Sequence, residues 1–415
     1  MHLRAASPAF RSLRHRNARL FFAGLLVSNV GSWVQLTATS LLVYRLTGRT
    51  TDLGVVVALQ FAPMLLLGAW AGAVADRRDK RTMAILTQGA LAVQALTLGV
   101  LDLTGHASLP VVYAATLVLG VVSAFDNPAR RGFVTELVPS EEIANAVSLN
   151  TAVMTGSRIF GPAVAALLVG PLGTGWLFTI NGLSFTAILA SLFVIDRSRL
   201  YPAPRAARGG TPVRDALAWL RGDPVMLATF VAFTVVSTFG FNYNVSLPKV
   251  ADQTWGSDRW YGWVLAVVSV GSLLGSLLTA ARTRVTLRWM VGCGLLLGVA
   301  GVAMAMARQV PVAMAVAVPL GVGGAGFVAG MNAITQEHCP PEMRGRILAL
   351  TAVAFLGSYP IGGPLTGLVG DVVGLGWSIA YGALISLVAV LGLAWWTSGR
   401  VLHDPAGRTV ERSAA

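Results

Sequence analysis

Gly72-Ala-Val-Ala-Asp76-Arg77-Arg78-Asp79-Lys80-Arg81 lies between two apolar runs, roughly 53–75 and 82–101, neither of which contains a charge. Each run is near the ~20 residues with which an α-helix crosses a hydrocarbon core about 30 Å thick. The charged stretch therefore reads as a turn at a membrane surface that joins one crossing to the next. The same alternation continues through the chain. We read twelve apolar spans, roughly 20–44, 53–75, 82–101, 110–127, 143–169, 174–195, 225–247, 261–281, 288–307, 311–333, 346–369 and 375–397. Two of them, 20–44 and 143–169, are long enough to tilt or to protrude.

Composition agrees with this reading. Hydrophobic residues make up 55% of the 415, with 46 glycines besides, and charged residues only 12%, against about 25% in a soluble domain. That is too little polar surface to coat several water-soluble domains, so the bilayer takes the place of water. Disorder is excluded by the same figures.

The net charge of +13 is unevenly placed. With the N-terminus inside, 25 of the 31 Lys and Arg fall on the cytoplasmic side, 5 outside and 1 within a span, while the 18 acids divide as 12, 5 and 1. The whole surplus sits on one face, as the positive-inside rule requires, so both termini are expected in the cytoplasm. Basic loops beside anionic headgroups account for the charge without nucleic acid. Arginine outnumbers lysine 29 to 2, a bias that hints at a GC-rich bacterial source. Two cysteines, Cys293 and Cys339, make no disulfide framework, and no His/Cys group has the spacing of a zinc site. The Walker pattern is missing, which disfavours pumping by ATP hydrolysis. Arg4, Arg11, Arg14, Arg16 and Arg19 precede an apolar run longer than a signal-peptide core, so that run reads as a retained first helix.

The chain repeats itself at half length. Gly161-Pro162 recurs as Gly363-Pro364 and Pro139 as Pro341, both at an offset of 202. Thr135-Glu136 matches Gln336-Glu337 at 201, and Gly72 matches Gly275 at 203. One constant offset across independent pairs marks a duplicated six-helix unit. The expected organisation is an N-terminal bundle at 1–195, a cytoplasmic linker at 196–224, a C-terminal bundle at 225–399 and a tail at 400–415. Tyr201 to Gly210 is rich in Pro, Gly, Ala and Arg and reads as flexible. Thr211-Pro212 then opens a short helix that Gly222 ends. Its Val213, Ala216, Leu217 and Leu220 form an apolar stripe, with Arg214 and Arg221 free for headgroups, as in a surface helix.

Few residues within the spans carry chemistry. Gly72, four residues before Asp76, lets another helix approach closely, and the cluster of Asp76, Arg77 and Arg81 can form ion pairs that hold one conformation and break in another. The alternative reading is a positive-inside anchor with no gating role. Arg158 is the one charge near the middle of a span, where insertion costs about 2.5–3.5 kcal/mol. It must face a cavity or a partner, either as a counter-charge for substrate or protons or as a link to backbone carbonyls or Asp126. Asp126, near one end of the fourth span, is either a proton carrier with a raised pKa or a surface partner of Arg130 or Arg131. Gly161-Pro162 and Gly363-Pro364 are expected to kink their helices. Phe239-Gly-Phe-Asn242-Tyr-Asn244 is a polar-aromatic break where a helix can unwind. The run Gly321-Val-Gly-Gly-Ala-Gly326 reads as close helix contact, not as a phosphate loop.

Gly72-x-x-x-Asp76-Arg77-x-x-Lys80-Arg81 resembles the cytoplasmic signature of the major facilitator superfamily. Ser28-Asn-Val-Gly-Ser-Trp33, Tyr44-Arg-Leu-Thr-Gly48, Asp126-Asn-Pro-Ala-Arg130 and Pro341-Glu-Met-Arg-Gly-Arg346 narrow the resemblance to its bacterial drug-efflux branch, which includes the enterobactin exporter and macrolide-efflux proteins. The resemblance runs over about residues 10–400. It implies an all-α membrane protein with twelve transmembrane helices in two pseudo-symmetric six-helix bundles, rocking about a central cavity and exporting small amphiphilic or hydrophobic molecules against proton influx.

By the same resemblance, Asp76 is the motif aspartate facing the start of the eleventh helix, and Arg77 and Arg81 are the motif bases. Glu337 and Arg344 correspond to a state-dependent latch. Gln35, Phe239, Asn242, Asn244, Phe327, Met331 and Asn332 are cavity-lining candidates, and aromatics with methionine suit varied ligands. The sequence departs from the family pattern in three places. The second-half copy of the signature has Thr279 where an acid stands in the first, the fourth span carries no arginine between Leu117 and Ser123, and Ala165-Ala166 replaces the usual glycine pair after Gly161-Pro162. The implied partners are a small-molecule substrate, protons and the lipid bilayer, with no nucleic acid, no metal and no cofactor, and the chain acting as a monomer in a bacterial cell membrane. A membrane-embedded enzyme or sensor would need nucleophiles, bases or metal ligands clustered within the spans, and we find none.

Overall fold

An apolar segment in lipid must pair every backbone N–H and C=O within itself, which leaves the α-helix as its solution unless a barrel closes. The computed structural model describes residues 8–201 and 212–398, and these are helical almost throughout, with no strand among them. The helices are α1 (Arg16–Thr47), α2 (Thr50–Arg77), α3 (Lys80–Leu103), α4 (Leu109–Val134), α5 (Ile143–Val194), α6 (Pro212–Gly222), α7 (Pro224–Phe239), α8 (Tyr243–Trp255), α9 (Trp260–Ala280), α10 (Leu287–Met306), α11 (Val310–His338), α12 (Pro341–Leu356), α13 (Tyr359–Val372) and α14 (Leu375–Thr397).

Twelve crossings map onto these helices, each covering its expected span or nearly so and several running on beyond it, α4 to Val134 and α8 to Trp255. α5 holds two crossings, divided at Gly173, whose φ of 78° no other residue type adopts cheaply. Conversely, α7 and α8 together form one crossing broken at 240–242, and α12 and α13 another broken at 357–358. Gly374, with φ 127°, stands 201 residues after Gly173 and turns the chain at the matching place in the second half. The duplication read from Gly-Pro and Pro pairs thus extends to backbone conformation.

By mutual contact the described residues separate into two compact units. The first is drawn from Met1–Leu46 and Ala62–Arg208, and the second from Thr47–Phe61 and Gly209–Ala415. The division after residue 208 falls inside the stretch read as a linker, and the first turns of α2 pack with the second unit because Thr50 and Gly54 meet the bare backbone of Gly367 and Gly363. The expected tail at 400–415 and the flexible stretch before residue 212 lie outside the described residues.

The first unit is built on a core of Phe21, Phe22, Leu25, Leu91, Phe133, Leu137, Phe185, Ile188 and Leu192. The second unit is held by glycine. Gly271 and Gly275 of α9 lie against the Val318 and Val322 carbonyls of α11, and Gly321 of α11 lies in return against Val268 and Ser272. Gly323 faces Leu297 and Cys293 of α10, and Gly326 faces the Cys293 sulfur, so the glycine run at 321–326 serves close helix contact on two sides. Gly72 behaves differently from its repeat partner Gly275. Nothing lies within 4 Å of the place a Cβ would take on it.

α6 is amphipathic as expected, but its stripe covers protein. Ala216 and Leu220 are buried, and Asp215 pairs with Arg346 of α12 at 2.9 Å. The side chain of Val213 lies outside what is described. Asp223, next in the chain, caps α7 by accepting from the Val225 and Met226 N–H groups at 3.0 Å.

The glycine seams lead to a test of packing. Gly321→Leu should wedge α9 from α11 and cost about 1–3 kcal/mol, read as a lowered melting temperature in detergent. Gly72→Ala should leave that temperature unchanged.

Candidate functional site

In the first unit α1 runs parallel to the first crossing of α5, Asn29 meeting Met154 and Trp33 meeting Gly161, and the sequence between Asn29 and Trp33 sets what they carry. Gly161 leaves room for Trp33, whose Cβ and backbone stand where a side chain would be. One turn earlier on α5, the Arg158 guanidinium lies over the Trp33 ring, 5.0 Å from its centroid. Arg158 is exposed in the middle of its crossing. The Trp33 face offers it a cation–π contact, and a charge in that position has to be met by water, solute or a polar partner. The backbone stays helical through Gly161-Pro162, so the expected kink is not a break of the helix. The same holds at Gly363-Pro364. In the second half the break falls at 357–358, just ahead of Pro360, which has no N–H to continue the α12 ladder.

Asp126 does pair with Arg130, but not at the surface. Its carboxylate is 1% exposed. Oδ1 accepts from the Thr87 hydroxyl at 2.7 Å and the Gln88 amide at 2.8 Å. Arg130 Nε lies 2.5 Å from Oδ2, off the line of a hydrogen bond. The other end of that guanidinium donates to Asn29 Oδ1 at 3.2 Å, and Asn29 donates to the Met154 sulfur at 2.9 Å. A buried acid, a cation and three polar side chains from α1, α3 and α4 thus form one network, with Met154 of α5 at its edge.

Gln35 is 3% exposed and turned toward α3 and α5. It donates to Gln94 Oε1 at 3.1 Å and accepts from Asn181 at 2.5 Å. Both ends of its amide are engaged inside the unit, so it does not line a cavity here. Unpaired amides are costly in lipid, and three of them solve the problem together.

At the charged turn, Asp76 and Arg77 are exposed at the end of α2. Asp79 caps α3, accepting from Thr82 N–H at 2.7 Å. Burial pulls its pKa upward, but the Thr82 bonds together with Arg197 and Arg81 outweigh it, and the carboxyl is held below its usual range. Arg81 is 7% exposed and donates to the Leu192 and Phe193 carbonyls at 2.7 and 3.1 Å. It thereby satisfies the open C-terminal end of α5. Lys80 runs its stem over Gly132 and pairs with Glu136 at 2.9 Å. Glu337, at the repeat position of Glu136, is exposed, and among the described residues it makes no ion pair with Arg344. Arg344 donates instead to the Cys339 carbonyl at 3.1 Å. The expected latch is therefore open.

In the second unit the break at 240–242 is present as expected. Asn242 folds back to donate to the Thr238 carbonyl, and the side-chain oxygens of Asn242 and Asn244 are buried without a partner. Phe239 and Asn242 line a cavity of about 10 Å³ with Ser378 and Ser386, room for roughly one water. Met331 and Phe327 are fully buried, Phe327 stacked on Phe233 with centroids 5.7 Å apart, so these two are packing residues; Asn332 is half-buried. A row of aromatics that the sequence reading missed continues from there through Phe355 and Tyr359 to Phe61, which stacks on Tyr359 at 4.9 Å. Phe61, Phe355 and Tyr359 are only half-buried.

Asp371 was also missed. It lies two residues beyond the expected span and accepts from the Lys249 ammonium at 2.8 Å and from Thr50 and Thr51. The available signal was composition: both of the chain's lysines, Lys80 and Lys249, stand in ion pairs that are at most about one-fifth exposed.

Twelve membrane crossings, duplicated by halves, with a few charges held inside them, define an integral membrane protein of the transporter type. The chain belongs to the transmembrane secretion effector family of the major facilitator superfamily, whose sequence profile matches residues 7–398. It is similar to macrolide efflux protein A of Streptococcus pyogenes, 25% identical over 402 residues, 91% of this chain and 96% of that one. The multidrug efflux pump Tap of Mycolicibacterium fortuitum is 24% identical, covering 86% and 90%. The staphyloferrin A transporter of Staphylococcus aureus is 23% identical over 62% of this chain, and the match spans 66% of that relative, as it does for an uncharacterised MFS-type transporter of Bacillus subtilis. Among solved structures, a POT family transporter in complex with 5-aminolevulinic acid superposes with a TM-score of 0.75 at 11% identity, covering 92% of this chain and 96% of that one. A bacterial homolog of the human lysosomal transporter Spinster, inward-facing and occupied, gives 0.67 at 16%, covering 94% and 96%. These families and relatives are transporters, not enzymes.

Thiol chemistry checks the geometry around residue 339. Cys293 and Cys339 are both buried. Burial first, then the nearby Asp223 charge, pushes the Cys339 thiol up to about 12 against the pull of Arg344. At pH 8 about one in ten thousand is thiolate, the reactive form. Maleimide should label neither cysteine in the native protein and both after denaturation in SDS, read by mass shift.

Proposed function

We propose that the chain is a secondary exporter of small amphiphilic or hydrophobic molecules, working by alternating access in exchange for protons. The observation that carries this reading is Arg158, exposed midway along a crossing and laid on Trp33. Such a charge is costly in lipid, whereas a solute path uses it. The half-buried aromatics Phe61, Phe355 and Tyr359 supply adaptable apolar contact of the kind that accepts varied ligands. Similarity to macrolide and multidrug efflux proteins supports the substrate class.

In this reading Asp126 carries the proton. Its protonation removes the charge that holds Arg130, leaving that guanidinium to Asn29, and so couples proton binding to the contact between α1 and α4. Asp76, with Gly72 and Arg77, forms the gate at the cytoplasmic face, and both termini lie on that face, where the arginine surplus falls. The unit of function is the monomer. A second cargo, an anionic siderophore or a lysolipid, is favoured by the same exposed cation and by similarity to the staphyloferrin A transporter.

Arg158→Ala and Asp76→Asn should each lower export at least about tenfold, the equivalent of about 1.4 kcal/mol, while the protein still reaches the membrane. Drug tolerance unchanged in both variants would remove these site assignments. In proteoliposomes, substrate efflux should move protons the other way, and efflux indifferent to a pH gradient would remove the antiport. Arms with macrolide, carboxylate siderophore and lysolipid separate the cargoes.

A further inference from the structure

α2 starts without a cap of its own. The first N–H groups of a helix need acceptors, yet the residue before Thr50 is Arg49, whose side chain has only donors. The acceptor comes from 320 residues away. Asp371, at the end of α13, takes the Thr50 N–H at 3.0 Å on Oδ1, and the Thr51 N–H at 2.8 Å and its hydroxyl at 2.7 Å on Oδ2, while the Thr50 hydroxyl lies between Oδ1 at 2.9 Å and the Gly367 carbonyl at 2.7 Å. Lys249 of α8 adds its ammonium to Oδ1 at 2.8 Å. Four donors from two other helices converge on one carboxylate, which also sits favourably at the positive end of the α2 dipole.

Below this point the two helices meet along bare backbone in antiparallel order. Gly367 and Gly370 receive Thr50, Gly363 receives Gly54 and Val57, and Phe61 stacks on Tyr359 at the far end. This seam assigns residues 47–61 to the second unit while the rest of α2, from Ala62, belongs to the first. One helix is therefore shared. Its Thr50 end lies 28 residues from its Arg77 end, about 40 Å along the axis, so the Asp371 contact stands at the end opposite Asp76.

We propose that Asp371, with Lys249, is a clasp on the face opposite the charged turn, which the transport cycle opens so that residues 47–61 leave the second unit. This rests on the transport reading above. A seam made mostly of backbone contacts, with Val57 and the Phe61–Tyr359 stack as its side-chain contacts, parts with little unpacking, and the polar contacts at its end decide whether it is closed. Release strips α2 of its cap and takes from Lys249 the carboxylate it holds at 2.8 Å, so the closed state is favoured until substrate or proton binding elsewhere offsets that cost.

The test places a reporter cysteine at Val57, which packs on Gly363 inside the seam, and follows its labelling by a membrane-impermeant maleimide in intact cells. A second reporter, Ala95→Cys in the core of the first unit, detects unfolding. Asp371→Asn should raise labelling at residue 57 about tenfold, as loss of a partly buried ion pair shifts the balance of states, with residue 95 unchanged and export lowered. Thr51→Val, which loses only a hydroxyl donor, should raise it about threefold. Unchanged labelling at 57 in Asp371→Asn overturns the clasp, and so does raised labelling with unaltered export. If Asp371→Asn also exposes residue 95, the milder Thr51→Val decides, and a flat response there overturns the proposal. Export by the unsubstituted chain tests the transport reading separately, because the labelling needs no substrate.

Discussion

Helices surrounded by lipid gain little from burying apolar side chains against one another, since the acyl chains are just as apolar. Cohesion has to come from backbones brought close and from polar groups that have no other partner. This constraint explains why the second unit is assembled on Gly271, Gly275, Gly321 and Gly323, with carbonyls of one helix facing the bare Cα of the next. It also explains the Gln35, Gln94 and Asn181 amides closing on one another inside the first unit. Each such contact is specific in a way that greasy packing is not, and so fixes which helix neighbours which.

The same constraint concentrates function on charge. A carboxylate or guanidinium taken into a crossing is stable only when paired, and pairing at low dielectric makes its loss expensive. Asp126 with Arg130, Asp371 with Lys249, and Arg81 on the α5 carbonyls each obey this rule. They differ in what they join. Arg81 ties helices of one unit together and has no reason to let go. Asp126 meets α3 through neutral donors that can re-partner and α1 through Arg130, and Asp371 holds the first turn of a helix divided between the units. Pairs that join parts able to separate are suited to switching, and pairs inside a permanent core are suited to support.

Most of the architecture was legible because hydropathy is a property of contiguous residues. All twelve crossings, the duplication, the helix break near Asn242 and the close-contact role of the glycine run at 321–326 follow from local pattern. The sites were legible only in part. Arg158 stood out because a lone charge in an apolar run needs no partner to be noticed. One of the two readings of Asp126 puts it at the surface because its helix is seven residues longer than the apolar run that announced it, which carries Arg130 and Arg131 with it. Gln35 seemed available for a cavity because its two partners lie 59 and 146 residues away with no periodic relation to it. Asp371 fell outside its expected span, and its partners come from a turn more than 300 residues earlier. Distances of that kind are set by how helices assemble, and no window along the chain contains them.

The scarcity of lysine has a practical side. With Lys80 held by Glu136 and Lys249 by Asp371, both ammonium groups are mostly covered. Acylating dyes and lysine-directed crosslinkers, the customary first tools for charting a protein's neighbourhood, will find this chain nearly blank. Its surroundings are better mapped through carboxylates or through engineered thiols.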